Sequence, residues 1–208
     1  MDSRKRILVI SSKRPFPVQD GASIRTSQMI RMLSQIFEVD LVYTCNPYKT
    51  FADLTELRCF CRQISEFLEP KWKCVLRALL GFFKSRPLQC SYFYSPRMMS
   101  YIQEHLSLYD YVFCNNIRTV PYVDGSKCNK IIDYVDAISM NYIGASLKAN
   151  WIWRLVYKFE ANRLISYENK VLKSFDKFII ISDVDRQFIL RHADLEISNK
   201  HIEVIGNR

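Results

Sequence analysis

The sequence predicts an α/β fold, a mostly parallel sheet with helices on both faces. Three observations carry this. Short apolar runs such as RILVIS and KFIIIS alternate with longer segments of helical periodicity. Those runs are apolar at consecutive positions, as in strands buried on both faces. Repeated β–α alternation requires helical crossovers that cover a parallel sheet. At 208 residues, 49% hydrophobic and 25% charged, the chain fits one domain over 1–208. Such a chain buries enough apolar surface to fold without disulfides or metals.

The first strand is Ile7–Ser11, followed by a polar loop with Pro15, Pro17 and Gly21. A helix runs from about Ser23 to Ile36, with Met29, Leu33 and Ile36 on one face and Ile30 and Phe37 on its flank. A strand at Val39–Thr44 and a short one at Ile64–Leu68 precede a helix from Lys71 to Phe83, which ends before Pro87. Pro96 opens a helix reaching Leu106, because proline suits a first turn. Strands at Tyr111–Cys114 and Lys130–Asp133 follow, then a long helical region from Ala149 to Ser174. Lys177–Ser182 reads as the clearest buried strand, before a helix at Val184–His192 and a strand at Ile202–Ile205. With only five glycines in the chain, Gly21, Gly125 and Gly206 stand out as turn positions.

No run of about 20 apolar residues occurs. The N-terminal apolar segment is too short for a signal peptide and reads as the first strand. Seven cysteines, an odd number, argue for a reducing, cytoplasmic compartment and free thiols packed as small apolar side chains. No Cys or His spacing suggests a metal site, and His105, His192 and His201 form no catalytic dyad. The formal net charge of +9 admits anionic small molecules, anionic membranes and nucleic acid as partners. No RNA-binding motif is visible, so no nucleic acid is expected. A G-x-G-x-x-G loop after the first strand is missing, which argues against a dinucleotide-binding protein.

In open parallel sheets, ligands sit beyond the carboxyl ends of the strands. The residues to inspect therefore follow Ser11, Cys114, Asp133 and Ile181. The first of these regions, strand–loop–helix, suits an anion, because a helix N-terminus offers N–H groups and a positive dipole end.

Five segments at these places carry a resemblance: PFPVQDGASIR, YDYVFCNNIRTVPYV, IIDYVDAISMNY, FEANRLISYENKVLKSFDKFIIISDVDR and IEVIGN. In this order the chain resembles the N-terminal domain of family-4-type, two-domain (GT-B) glycosyltransferases, most of all bacterial sugar transferases of polysaccharide assembly. The resemblance implies a nucleotide-sugar donor bound between two Rossmann-like domains and transfer with retention of configuration. It implies no metal or other cofactor. The N-terminal domain would hold a glycan or lipid-linked acceptor, in the cytoplasm or peripherally on the inner face of the cell membrane. IEVIGN is similar to the segment that leads into the family's nucleotide-binding domain. The chain therefore reads as the acceptor half, without the donor-binding half, and inactive alone. The alternative is a stand-alone, non-catalytic binding module or one subunit of a split glycosyltransferase. The family's frequent His after the mid-chain strand is replaced by Cys114, Asn115 and Asn116.

The resemblance assigns Gly21 and Arg25 to the donor-diphosphate loop. Gly21 is otherwise a tight turn, Arg25 a solvated or salt-bridged side chain, and Asp20 a helix cap. Acceptor-binding candidates are Asn116, Arg118, Asp133, Asp136 and Ser182. Asn116 offers the donor and acceptor groups that sugar hydroxyls need. Arg118 grips an acceptor phosphate or hydroxyls, or else bridges to Asp133 or Asp136. One of the two aspartates orients or deprotonates an acceptor hydroxyl, or else Asp136 caps a helix and Asp133 bonds a loop. Ser182 faces the cleft or, like Asp183, caps the next helix. No catalytic residue is singled out.

Two segments mix aromatic and basic residues, KWKCVLRALLGFFKSR and NWIWRLVYKFEANRLISYE. Helices of that composition lie on anionic bilayers, or are amphipathic helices with their aromatics turned to the core.

Overall fold

The computed structural model describes residues 4–18, 20–47, 54–82 and 86–206. Seven strands form one sheet: β1 (Arg6–Ser11), β2 (Glu38–Cys45), β3 (Gln63–Leu68), β4 (Tyr111–Asn115), β5 (Asn129–Asp133), β6 (Lys177–Ile180) and β7 (Ile202–Val204). Every pairing is parallel and the spatial order is β3-β2-β1-β4-β5-β6-β7. The fold is therefore the Rossmann-like α/β sheet that the sequence predicts. The order reverses between β1 and β4, the place beyond whose strand ends open sheets of this kind bind ligands.

Side chains alternate between two cores. Leu8 and Ile10 of β1 join Val112 and Cys114 of β4 on one face, while Ile7, Val9 and Phe113 point to the other. Helices cover both. Helix α1 (Gly21–Ser34) and the short α2 (Thr55–Arg58) place Met29, Ile30 and Leu57 on the second face. Helix α3 (Lys71–Gly81) packs on α4 (Leu88–Tyr92), where Gly81 allows close approach: a Cβ there would sit 2.4 Å from Ser91 Oγ. Helices α5 (Pro96–His105), α6 (Ile138–Lys148), α7 (Trp151–Ser174) and α8 (Asp183–Arg191) supply Met98, Ile102, Ile138, Leu164, Val171 and Ile189 to the first face.

Several boundaries differ from the sequence expectation. Helix α1 starts at Gly21 rather than Ser23, because Asp20 caps it in a box with Ser23. It stops at Ser34, so Ile36 is exposed and not part of the packed face. Gly21 is thus the first helical residue, not a turn; Gly125 does turn the chain, with φ +77°. The region after Asp133 holds α6, to which the sequence reading assigns no range, and its N-cap is Ala137 rather than Asp136; the expected end of α3, Phe83, lies outside the described residues. The cysteines are free thiols, with Cys61, Cys74, Cys90 and Cys114 buried. Among the described residues no helix is long and apolar enough to cross a membrane.

Candidate functional site at the carboxyl edge of the sheet

Nearly all the singled-out residues follow the carboxyl ends of β1, β4, β5 and β6. At their centre is an ion pair. Arg25, on the second turn of α1, donates from Nε to Asp133 Oδ2 at 2.7 Å and from Nη2 to Oδ1 at 3.3 Å. Arg25 is 1% exposed and Asp133 is fully buried. The third side of the guanidinium donates to the Ile205 carbonyl at 2.5 Å. Arg25 is thus salt-bridged rather than solvated. Burial raises the Asp133 pKa, and Arg25 opposes that shift.

Asp133 also fixes two strained residues. Its carbonyl accepts from Asn116 N at 2.8 Å, and its Oδ1 accepts from Val135 N at 3.1 Å. Asn116 has φ +68° and ψ 167°, a region otherwise left to glycine. Val135 has φ +66°, unusual for a β-branched residue. The Asp136 amide donates to the Tyr134 carbonyl at 2.8 Å across Val135, which closes a strained γ-turn. Strain of this kind costs roughly 1–3 kcal/mol per residue and clusters at functional sites.

The Asn116 side chain accepts from Arg118 N at 2.9 Å and reaches Ser12 Oγ at 3.4 Å. Beside it, Asn115 donates to Thr26 Oγ1 at 2.6 Å, while its buried Oδ1 has no partner among the described residues. Arg118 bridges to neither Asp133 nor Asp136. Its Nε donates to Gln89 Oε1 of α4 at 2.7 Å, and its guanidinium stacks on Phe93, 4.7 Å from the ring centroid. Gln89 in turn donates to Tyr142 Oη of α6 at 2.9 Å. Among the described residues no carboxylate lies within ion-pair distance of Arg118, and burial lowers its pKa, with Asp136 opposing from further off. Asp136 instead accepts from Asn141 at 2.6 Å, and burial raises its pKa.

The other candidates have structural partners. Ser182 is the N-cap of α8: its Oγ accepts from Asp185 N at 3.1 Å and donates to the Asp185 carboxylate. The N-terminus of α1 already receives a carboxylate, since Asp20 accepts from Ser23 N at 2.8 Å and pairs with Lys13 at 2.5 Å. Lys13 and the Ser23 amide hold the Asp20 pKa down at about 2. Gly21 lies on an open surface, where a Cβ would meet nothing within 4 Å. An anion approaching Gly21 meets the Asp20 charge, with Lys13 as its counterion.

Sequence reasoning missed Gln89, Tyr142, Val135, Glu168 and Asp185. Glu168 of α7 accepts from Ser139 Oγ at 2.6 Å and Ser139 N at 3.3 Å, and Asp185 Oδ1 accepts from Ala137 N at 2.9 Å. Together they cap α6, whose own Ala137 has no side-chain cap. Burial pushes the Glu168 pKa up to about 7. Among the described residues no group of His, Cys, Asp and Glu is arranged to hold a metal ion. His105 and His192 contact the carbonyls of Tyr101 and Phe188 in their own last turns. The chain matches no protein-family model and no curated protein, so the geometry carries the functional argument.

Proposed function

We propose that this chain is the acceptor-binding domain of a retaining glycosyltransferase. It would act with a nucleotide-sugar-binding domain on a cell-surface glycan or lipid-linked acceptor. The observation that carries the reading is Arg118: a largely buried guanidinium at the switch point, beside Asn116, without a carboxylate partner among the described residues. Such a charge is held ready for an anionic group, and the paired N–H donors of arginine suit phosphate oxygens. Asn116 would place sugar hydroxyls, and the Asn116 and Val135 turns would hold the site in shape. Fold alone does not specify the reaction, and sugar transfer rests on the five-segment resemblance.

A second reading is favoured by the centre of the site. Arg25, Asp133 and Ser182 are all satisfied within the chain, which suits a binding module or a subunit of a split enzyme. Calorimetry with a short-chain prenyl phosphate tests the acceptor role common to both. Binding by the native chain and its loss in Arg118→Ala support it; absence of binding removes it. Product mass after incubation with nucleotide sugars and the donor-binding domain then separates transferase from module.

A further inference from the structure

Two helices leave large apolar side chains in solvent. On α3, Trp72, Leu79 and Leu80 are 62%, 64% and 56% exposed; on α7, Trp151, Trp153 and Leu155 are 73%, 54% and 62% exposed. These include all three tryptophans of the chain. The two helices meet. Phe82, just after α3, packs on Phe159 of α7 with ring centroids 5.2 Å apart, and Arg163 of α7 donates to the Gly81 carbonyl at 3.0 Å. An apolar groove of about 410 Å³ runs beside it, lined by α3 and by Leu88 and Tyr92 of α4. Exposed apolar side chains on two touching helices beside an apolar groove mark an interaction site.

Its charge is one-signed. No acidic residue occurs from Lys71 to Phe82 or from Ile138 to Phe159, whereas Lys71, Lys73, Lys148, Arg154 and Lys158 are exposed. We propose that this surface docks the protein on an anionic lipid bilayer. Tryptophan rings settle at the level of the headgroups, aliphatic side chains enter the acyl boundary, and long basic side chains reach back to lipid phosphates. A second copy of the chain fits poorly. A two-fold contact through this patch would set the same basic residues against each other with no acid between them. An anionic bilayer supplies both the apolar phase and the missing negative charge.

The inference goes beyond the sugar-transfer reading and stands without it. It also positions that site, because α4 contributes Leu88 and Tyr92 to the groove and Gln89 to Arg118. Docking would bring the Arg118 site close to the membrane.

The test is titration of the full chain with vesicles of phosphatidylcholine alone and of phosphatidylcholine mixed with phosphatidylglycerol, followed by tryptophan emission and co-sedimentation. Binding to the mixed vesicles, a blue shift of emission and weakening by salt are expected. Changing any one of Lys73, Arg154 or Lys158 to Ala should weaken binding roughly fivefold. Trp72→Ala with Trp153→Ala should weaken it further while circular dichroism stays native, because both side chains are exposed. Failure to bind the mixed vesicles would overturn the proposal. So would binding indifferent to these substitutions, or self-association through the patch in place of vesicle binding.

Discussion

Arg25 and Asp133 tie the start of α1 to the end of β5 by two hydrogen bonds, at 2.7 and 3.3 Å, with almost no access to solvent. The residues are far apart in sequence and meet from opposite sides of the strand-order reversal. Removing one partner strands the other as a buried charge, which costs about 3–5 kcal/mol. Asp133→Asn and Arg25→Met are each expected to lower unfolding free energy in urea by that amount. The double variant Arg25→Met, Asp133→Asn should lose far less than the sum, because no unpaired charge remains. Strictly additive losses would show that the pair is not coupled.

The strained turns beside that pair give a contrast in sign. Val135 pays for φ +66° with steric strain that glycine would not have. Val135→Gly is therefore expected to match or exceed native stability. In the middle of β4, Val112 is fully buried in ordinary strand geometry, and Val112→Gly should cost about 3 kcal/mol. Urea midpoints of the two variants make the comparison. A similar large loss at both positions would contradict strain at Val135.

The sheet was legible because its signals are local. RILVIS and KFIIIS each hold four successive apolar residues and VDLVYT three, the pattern of strands covered on both faces. The Asp20 and Ser182 caps were legible as alternatives for the same reason, since each bonds an amide three residues on. Helix α6 was not, because its N-terminus is capped from Glu168 and Asp185, 29 and 48 residues away from their partners. Without a nearby cap, ISMNYIGASLK lacks the usual start signal. The site divides likewise. The strand ends pointed to Asn116, Arg118 and Asp133, but which cation meets Asp133 depends on how α1 lies across the sheet. The pairing with Arg25 rather than Arg118 is a tertiary fact. The positive φ of Val135 leaves no trace in composition.

Glu168 makes stability depend on pH near neutrality. Its folded pKa of about 7 lies above the reference value of 4.5, through burial and the nearby Asp136 and Asp185. The folded state thus holds the proton more tightly than the unfolded one. The contribution is complete below pH 4.5 and is lost as pH rises through about 7, a span of about 3 kcal/mol. Glu168→Gln keeps a neutral polar group against Ser139 and does not ionise. The variant should unfold like the native protein in acid and be more stable by about 3 kcal/mol near pH 8. Urea titrations of both proteins across this range read the difference directly, which cancels the other titrating groups. Parallel pH profiles would place the Glu168 carboxyl elsewhere.

Arg118 separates ligand binding from stability. Its Nε bond to Gln89 and its stacking on Phe93 aim the guanidinium without neutralising it. Arg118→Lys keeps the charge but loses the planar fork and the stacking. If the site receives a phosphate, Arg118→Lys should retain weak binding of a short-chain prenyl phosphate, and Arg118→Ala should lose about 2 kcal/mol, roughly thirtyfold. Gln89→Ala should weaken binding less, by freeing the guanidinium to rotate, and Gln89→Glu should weaken it more, by supplying the anion that the site lacks. The order Gln89→Ala before Gln89→Glu is the diagnostic result, since a purely structural Arg118 would be stabilised by the added carboxylate and would show no ligand effect. Calorimetry gives the affinities and urea unfolding gives the stabilities for the same four variants.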